Sequence, residues 1–350
     1  MYFSSHHNTE SDLELRRTGL QTLFPGNGRH KDMIDDERVE LLAKVAALYY
    51  EDELTQNEIS ASLGYSRSCI SRMLTEARRE GIVEIQIHHL QERKPALEKM
   101  LRDRFDLNEV RVMESNGSPY PQVLRRLGAL AARVLEENVT ESTTLGISWG
   151  TALYEVAHAL RPIHFPGVKV VQLIGSSSSS DHQVDGPGLV RAFARQFDGR
   201  YYTLPAPWLV EDRNLRDALM NDRRLREVLR LTRQVDIAVV GIGTTNPSLS
   251  SLLRAGYLTV DETRSLQTMG AVGDVCGQHF NLEGFLMDIP LAGYVFGIEV
   301  EALRSIPLVI GVAGGKAKAP AILGAVRSRL INSLVTDDEA ARDVLELSMR

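Results

Sequence analysis

Apolar residues Val39, Leu42, Val45, Ala46 and Tyr49 recur at helical spacing and predict a first helix over Arg38 to Tyr50. The next stretch, "LTQNEISASLGYSRSCISRMLTEARREGIVEI" from Leu54 to Ile85, carries two short helical patterns broken at Gly64 and Tyr65. Thr55 supplies a hydroxyl N-cap with Glu58 three positions on, and Ile59 and Leu63 follow on one face. Gly64 fits the turn, Ser66 caps the second helix, and Ile70, Met73, Leu74 and Ala77 form its apolar side. "IVEIQIHH" then alternates as a strand does, and "PALEKMLRDRF" reads as a connecting helix. From about Asn108 the pattern changes to short apolar runs between helices: "VRVM", "TTLGIS", "VKVVQLIG", "DIAVVGIG" and "LVIGVAGG". Such alternation predicts an α/β domain with a parallel sheet and crossover helices. Before Asp35 the chain is polar and shows no sustained period, with "FPGNGRHKD" carrying turn chemistry, so residues 1–34 are expected to be a flexible arm.

Length fits this division, since 350 residues exceed one small domain at roughly 100–200 residues each. A formal net charge of −6 argues against nucleic-acid binding by the whole chain and confines such a role to one module. Two cysteines, Cys69 and Cys276, lie far apart without metal-ligand spacing, so neither a disulfide framework nor a metal is expected. There is no run of eighteen apolar residues and no signal-peptide pattern, which makes the expected compartment the cytoplasm. No cofactor is expected.

Short helix, glycine turn and second helix make a helix-turn-helix pattern, in which the start of the second helix enters the major groove of DNA. The polar side of that helix carries Arg67, Ser68, Ser71 and Arg72, which with Thr55, Gln56 and Ser66 are the candidate DNA contacts. Arginine pairs bidentately with guanine edges, and hydroxyls bond phosphates or bases. From Asp36 to Lys94, 8 basic residues stand against 11 acidic ones, yet Ser66 to Arg79 holds four arginines and one glutamate. A weak overall field with one basic helix fits a module that binds DNA as part of an oligomer, adding several modest contacts.

In the second part, strands end in glycine and hydroxyl residues. "GISWGTAL" places Gly146, Ser148, Gly150 and Thr151 at a strand-to-helix turn whose amides can hold an anion. "LIGSSSSSD" adds Gly175 and Ser176, although Ser178 to Ser180 read equally well as a solvated loop. "VVGIGTT" adds Gly241 and Gly243, while "VAGGKAK" adds Gly314, Gly315 and Lys318, the last able to supply a point charge to a phosphate. Asp274 in "GAVGDVCGQHF" is either an acceptor for sugar hydroxyls or a turn cap; His279 reads as a packed residue at a pocket wall. Trp149 and Trp208 suit either sugar stacking or packing. Strand ends of an open sheet converge along one edge, where ligands bind in such folds.

Taken in order, "LTQNEISASLGYSRSCISRMLTEARREGIVEIQI", "GISWGTAL", "LPAPWLV", "VVGIG", "GAVGDVCGQHF" and "GVAGGKAKAPAILGAVRSRLINSLVTDD" resemble the SorC family of sugar-responsive bacterial transcriptional regulators. That resemblance spans about residues 38 to 347. It implies a winged-helix-like helix-turn-helix domain over 35–93, a linker helix over 94–107 and an effector and oligomerisation domain over 108–350. The latter would share the fold of glucosamine-6-phosphate deaminase and ribose-5-phosphate isomerase, and would form tetramers whose operator grip changes when a sugar, polyol or sugar phosphate binds. Two departures stand out: Gly175 is followed by serine where members have a second glycine, and Pro187 replaces an asparagine before "LVR", which puts contacts between Ser176 and Gly188 in doubt. A sugar-phosphate isomerase or deaminase with an added nucleic-acid module is the competing reading, and it requires an acid and base pair around Asp274.

Overall fold

A computed structural model describes residues 28–83, 92–176, 184–210, 212–289 and 295–350, with side chains in the first helix described from Arg38. The chain divides into two compact units, Met1–Ile87 and His88–Arg350.

The first unit is built from α1 (Gly28–Tyr50), α2 (Gln56–Leu63) and α3 (Arg67–Arg79). Thr55 and Glu58 form the expected capping box, with Thr55 N–H donating to Glu58 Oε2 at 2.8 Å and Glu58 N–H to Thr55 Oγ1 at 3.3 Å. Gly64 ends α2 in the left-handed region at φ 72°, where a side chain is strained, and Ser66 caps α3 by accepting from Cys69 N–H. Leu42, Val45, Ile59, Ile70, Met73, Leu74 and Ala77 meet in one small core, and an Arg38–Glu76 ion pair at 2.6 Å ties α1 to α3. One expectation is corrected: α1 begins at Gly28 rather than near Asp35, because "RHKDMIDDER" contains no breaker to stop helix propagation toward the N-terminus. The strand expected over "IVEIQIHH" lies mostly outside the described residues.

The second unit opens with α4 (Pro95–Phe105), β1 (Glu109–Met113), α5 (Tyr120–Asn138), β2 (Thr144–Ile147), α6 (Thr151–Ala159) and β3 (Lys169–Gln172). It continues through α7 (Gly186–Phe197), β4 (Arg200–Tyr202), α8 (Arg213–Asn221), α9 (Arg223–Thr232), β5 (Ile237–Gly241) and β6 (Gly243–Thr244). Then come α10 (Ser251–Arg254), α11 (Val260–Thr268), β7 (Ala271–Val275), β8 (Gln278–Asn281) and α12 (Val300–Arg304). The unit closes with β9 (Leu308–Val312), α13 (Ala319–Arg327), β10 (Ser333–Asp337) and α14 (Asp338–Leu347).

Seven strands form one parallel sheet in the order β1-β10-β9-β5-β2-β3-β4. Its central strands are apolar throughout because both faces are covered, as in "TLGI" of β2 and "IAVV" of β5. Alternating side chains feed two cores: Ile237 and Val239 of β5 join the layer under α5, α6 and α7, while Ala238 and Val240 join the layer that holds Ile322 and Leu323 of α13. From β2 the chain runs outward through β3 to β4, then returns to the other side of β2 as β5. The ends of β2 and β5 therefore flank the point where strand order reverses.

The expected α/β class holds, with an addition: β6, β7 and β8 form a separate antiparallel sheet. Its β7–β8 hairpin turns through Cys276 and Gly277 at φ 51° and 77°, the geometry of a two-residue hairpin turn with both central residues left-handed. Helix α4 belongs to the second unit and is no free linker: Leu101 is buried, and Arg104 Nη2 donates to the Ser348 carbonyl at 2.9 Å.

Candidate functional site

In the first unit, the apolar side of α3 is used up in the core, which turns Arg67, Ser68, Ser71 and Arg72 outward as exposed residues at its start. Arg67 and Arg72 have no ion-pair partner among the described residues, whereas Arg79 pairs with Glu80 at 2.9 Å. Arg78 instead turns back onto its own helix, its Nε donating to the Leu74 carbonyl at 3.3 Å. Thr55 and Ser66 serve as N-caps, so their hydroxyls are engaged within the unit; Gln56 opens α2 half-buried. The exposed face therefore offers two unengaged guanidinium groups and two serine hydroxyls on one turn and a half of helix.

In the second unit, a cleft opens at the strand-order reversal and encloses about 750 Å³ including its mouth. Ser148, Gly150 and Thr151 reach it from the end of β2 and the start of α6, Gly241 and Gly243 from the end of β5, Asp274 from β7 and Lys318 from the turn before α13. Gly150 N–H is engaged by the Val184 carbonyl, but the amides of Thr151 and Ala152 open α6, where no intrahelical acceptor exists for them. The hydroxyl oxygen of Ser148 accepts from Gly241 N–H at 3.4 Å, which joins the ends of β2 and β5.

Charge in the cleft comes from three groups. Lys318 Nζ donates to the Ile242 carbonyl at 2.5 Å, and burial lowers its pKa to about 8 against the opposing pull of Asp274. Arg254 enters from α10, its Nη1 donating to the Leu249 carbonyl at 3.2 Å, and lowers the Lys318 pKa further. Asp274 is the sole carboxylate lining the cleft among the described residues; Oδ2 accepts Gly277 N–H at 3.2 Å. Asp274 thus acts as a turn cap, and its carboxylate also lines the cleft. Gly243 lies so close beneath that carboxylate that any side chain there would overlap it.

Aromatic rings close the remaining wall. Trp208 is 1% exposed and stands edge-on to Trp149 at 5.8 Å and to Tyr257 at 4.8 Å. Both indole Nε1–H groups are buried with no acceptor among the described residues, and both rings line the cleft. Tyr120, at the start of α5, faces the cleft beside Gly315, and burial raises its phenol above the usual range. Donors from Lys318, Arg254, Tyr120, the indoles and the α6 amides therefore far outnumber the acceptors of Asp274. A ligand that satisfies them is rich in acceptors and carries negative charge.

Other expected site residues do not line the cleft. Gly146 lies inside β2, where a β-carbon would press on Leu173 at 2.7 Å and Val235 at 3.0 Å. Gly175 packs on the Pro207 carbonyl, and Ser176 is held by backbone bonds to Ala206 and Trp208. Gly314 packs against Leu127 and Asp337, and Gly315 N–H donates to the Asp337 carboxylate, which also caps α14. These glycines permit close packing that brings the cleft residues into place. Ser178 to Ser180 lie outside the described residues, and Pro187 sits in the first turn of α7, where a missing N–H costs nothing. His279 is 2% exposed with Nδ1 3.2 Å from the Gly277 carbonyl, away from the cleft. Sequence reasoning missed Arg254 and Tyr120; Arg254 stands in "SLLRAGY" with no glycine or hydroxyl signature to mark it.

Residues 90–346 match a putative sugar-binding domain. The chain is 35% identical over 314 residues to the transcriptional regulator LsrR of Enterobacter sp. (strain 638), covering 88% of this chain and 94% of that one. It is 30% identical to the deoxyribonucleoside regulator of Bacillus subtilis (strain 168), covering 88% and 98%. Among solved structures, the full-length sorbitol operon regulator SorC from Klebsiella pneumoniae superposes with a TM-score of 0.68 at 29% identity, covering 88% of this chain and 98% of that one.

Proposed function

The chain belongs to the SorC family of sugar-binding transcriptional regulators, and for its two units we propose the following division of labour. The first unit reads operator DNA through Arg67, Ser68, Ser71 and Arg72 at the start of α3, with Gln56 contacting the backbone at the turn and Thr55 and Ser66 holding the two helix starts in place as caps. The second unit binds a phosphate ester of a sugar or polyol in the cleft. Lys318, Arg254 and the α6 amides take the phosphate, Asp274 takes hydroxyls, and the indole N–H groups meet ring or chain oxygens.

One observation carries the ligand assignment: two cations and a set of unengaged donors converge on a site with a single carboxylate among the described residues, at the strand-order reversal. Occupancy alters operator grip because the ligand binds the operator-competent and released forms unequally. The chain works in the cytoplasm as an oligomer, a tetramer by family resemblance, since two unengaged arginines per reading helix make a weak grip that gains from multivalency. Relatives are named as regulators, which supports binding without turnover.

A thermal-shift panel of hexoses, pentoses and polyols with their phosphate esters tests the assignment. At least one phosphate ester is expected to raise Tm well above its neutral parent. Equal shifts from neutral and phosphorylated members would overturn the anion site, and formation of product from a phosphosugar would establish the isomerase or deaminase reading instead.

A further inference from the structure

Helices α8 and α9 contain the densest basic segment in the second unit. From Asp212 to Arg233 seven arginines stand against four carboxylates, in a chain whose net charge is −6. The carboxylates are largely spent on local structure. Asp212 caps α8 through Asn214 N–H, Asp222 caps α9 through the amides of Arg224 and Leu225, and Asp217 pairs with Arg216 at 3.3 Å. Arg233 is engaged with Glu299 at 3.0 Å.

What remains is one net-basic face, on which three arginines stand against Glu227, the carboxylate at i+4 from Arg223 and i−3 from Arg230. Arg223, Arg226 and Arg230 follow the spacing i, i+3, i+7, which lines them along one side of α9 over about 10 Å. All three are exposed and have no ion-pair partner among the described residues. On the opposite side, Leu225, Val228 and Leu229 pack with Leu204, Val210 and Phe296. The helix is therefore held rigidly by its apolar side while the arginine row is presented to solvent.

We propose that this arginine row is a second DNA contact, which takes the phosphate backbone of duplex DNA without reading sequence. The partner follows from charge and shape. Guanidinium groups keep their positive charge at every physiological pH, and a row of three matches a polyanion with evenly spaced charges rather than one small anion. A bilayer is a poor match, because the apolar side of α9 is committed to the protein core and nothing is left to insert. The first unit also leaves a need for such a contact. Its segment from Asp36 to Lys94 has 8 basic and 11 acidic residues, so general phosphate attraction has to come from elsewhere in the chain. The role is distinct from the cleft and from the reading helix.

The test uses the full-length protein and a fluorescent random-sequence duplex, with affinity measured by anisotropy from about 50 to 200 mM salt. Replacing all three residues with alanine (Arg223→Ala, Arg226→Ala, Arg230→Ala) is expected to flatten the log K against log salt slope by about 2–3 and to weaken binding roughly tenfold near 100 mM salt. The lysine triple variant is expected to keep most of the slope, because backbone contact depends on charge. Thermal melting and sedimentation run alongside on each variant. An unchanged slope in a folded alanine variant overturns the proposal. So does a drop in assembly mass with the slope retained, which would assign the row to an acidic face of a second copy. Loss of binding in the lysine variant equal to that in the alanine variant also overturns it, since the contact would then depend on guanidinium geometry rather than charge.

Discussion

The two units use their polar residues in opposite ways. In the first, the candidate contacts project into solvent from a helix held by a core of eight buried residues. In the second, they converge inward from the ends of β2 and β5, from β7, from α10 and from the turn before α13. Exposed arginines meet DNA with little prior desolvation, so each contributes modestly and screening by salt is strong. Half-buried Lys318 has already lost part of its hydration and hydrogen-bonds a carbonyl, so an anion that reaches it gains more per contact. On the proposed reading, DNA is recognised by many weak surface contacts and the ligand by a few strong enclosed ones.

The largest expected effect tests whether the units are independent. Ile59 is fully buried in the small core, and Ile59→Ala should cost about 2–5 kcal/mol, enough to unfold a unit with so few core residues. Calorimetry should then show loss of DNA binding while the ligand-induced Tm shift of the second unit persists; joint loss of both would break the comparison. Next, Lys318→Ala should weaken phosphate esters by about 1.5–3 kcal/mol in titration calorimetry while leaving neutral polyols nearly unchanged. An unaltered preference for phosphate would remove Lys318 from the anion site. Arg67→Ala or Arg72→Ala should each cost about 1–3 kcal/mol of operator affinity. Ligand affinity and assembly mass should stay as they were, and a matching loss in all three would point to misfolding.

The smallest effect follows from pH. Burial lowers the folded pKa of Lys318 from 10.5 to about 8, so below pH 8 the fold carries the full cost of a buried charge. As pH rises from 8 toward 10.5 the unfolded chain holds the extra proton, and the Lys318 contribution to stability improves. Anion affinity moves the other way, since the empty site loses its cation above pH 8. Binding of a phosphate ester should therefore weaken by up to about tenfold per pH unit above that point. A flat affinity profile between neutral and alkaline pH would show that Lys318 is not the cation that matters.

The same contrast explains what could be read from the chain. The helix-turn-helix is local: caps Thr55 and Ser66, the Gly64 turn and the apolar positions of α3 all lie within thirty residues, so short-range spacing suffices. The cleft is assembled from segments far apart in sequence. Glycine and hydroxyl motifs located its strand ends, but they did not separate Gly150 and Gly243, which line it, from Gly146, Gly175 and Gly314, which allow packing. Distinguishing them needs the positions of Leu173, Pro207 and Asp337, which only the tertiary fold supplies. Arg254 and Tyr120 escaped for the same reason, since a lone basic or aromatic residue on a helix carries no local mark of where its side chain ends. The β7–β8 hairpin was legible in principle, because Cys276-Gly277 interrupts alternating residues, yet its turn lacks the usual asparagine or aspartate lead.

The central claim is that filling the cleft changes the grip on DNA. Its most direct test is operator affinity measured with and without the phosphate ester that gives the largest thermal shift, for the natural protein and for Lys318→Ala, with the operator first located by footprinting. The account predicts that the ester changes operator affinity of the natural protein at least severalfold and leaves that of Lys318→Ala unchanged at the same concentration. A ligand that binds the natural protein in the cleft and leaves its operator affinity unaltered would contradict it.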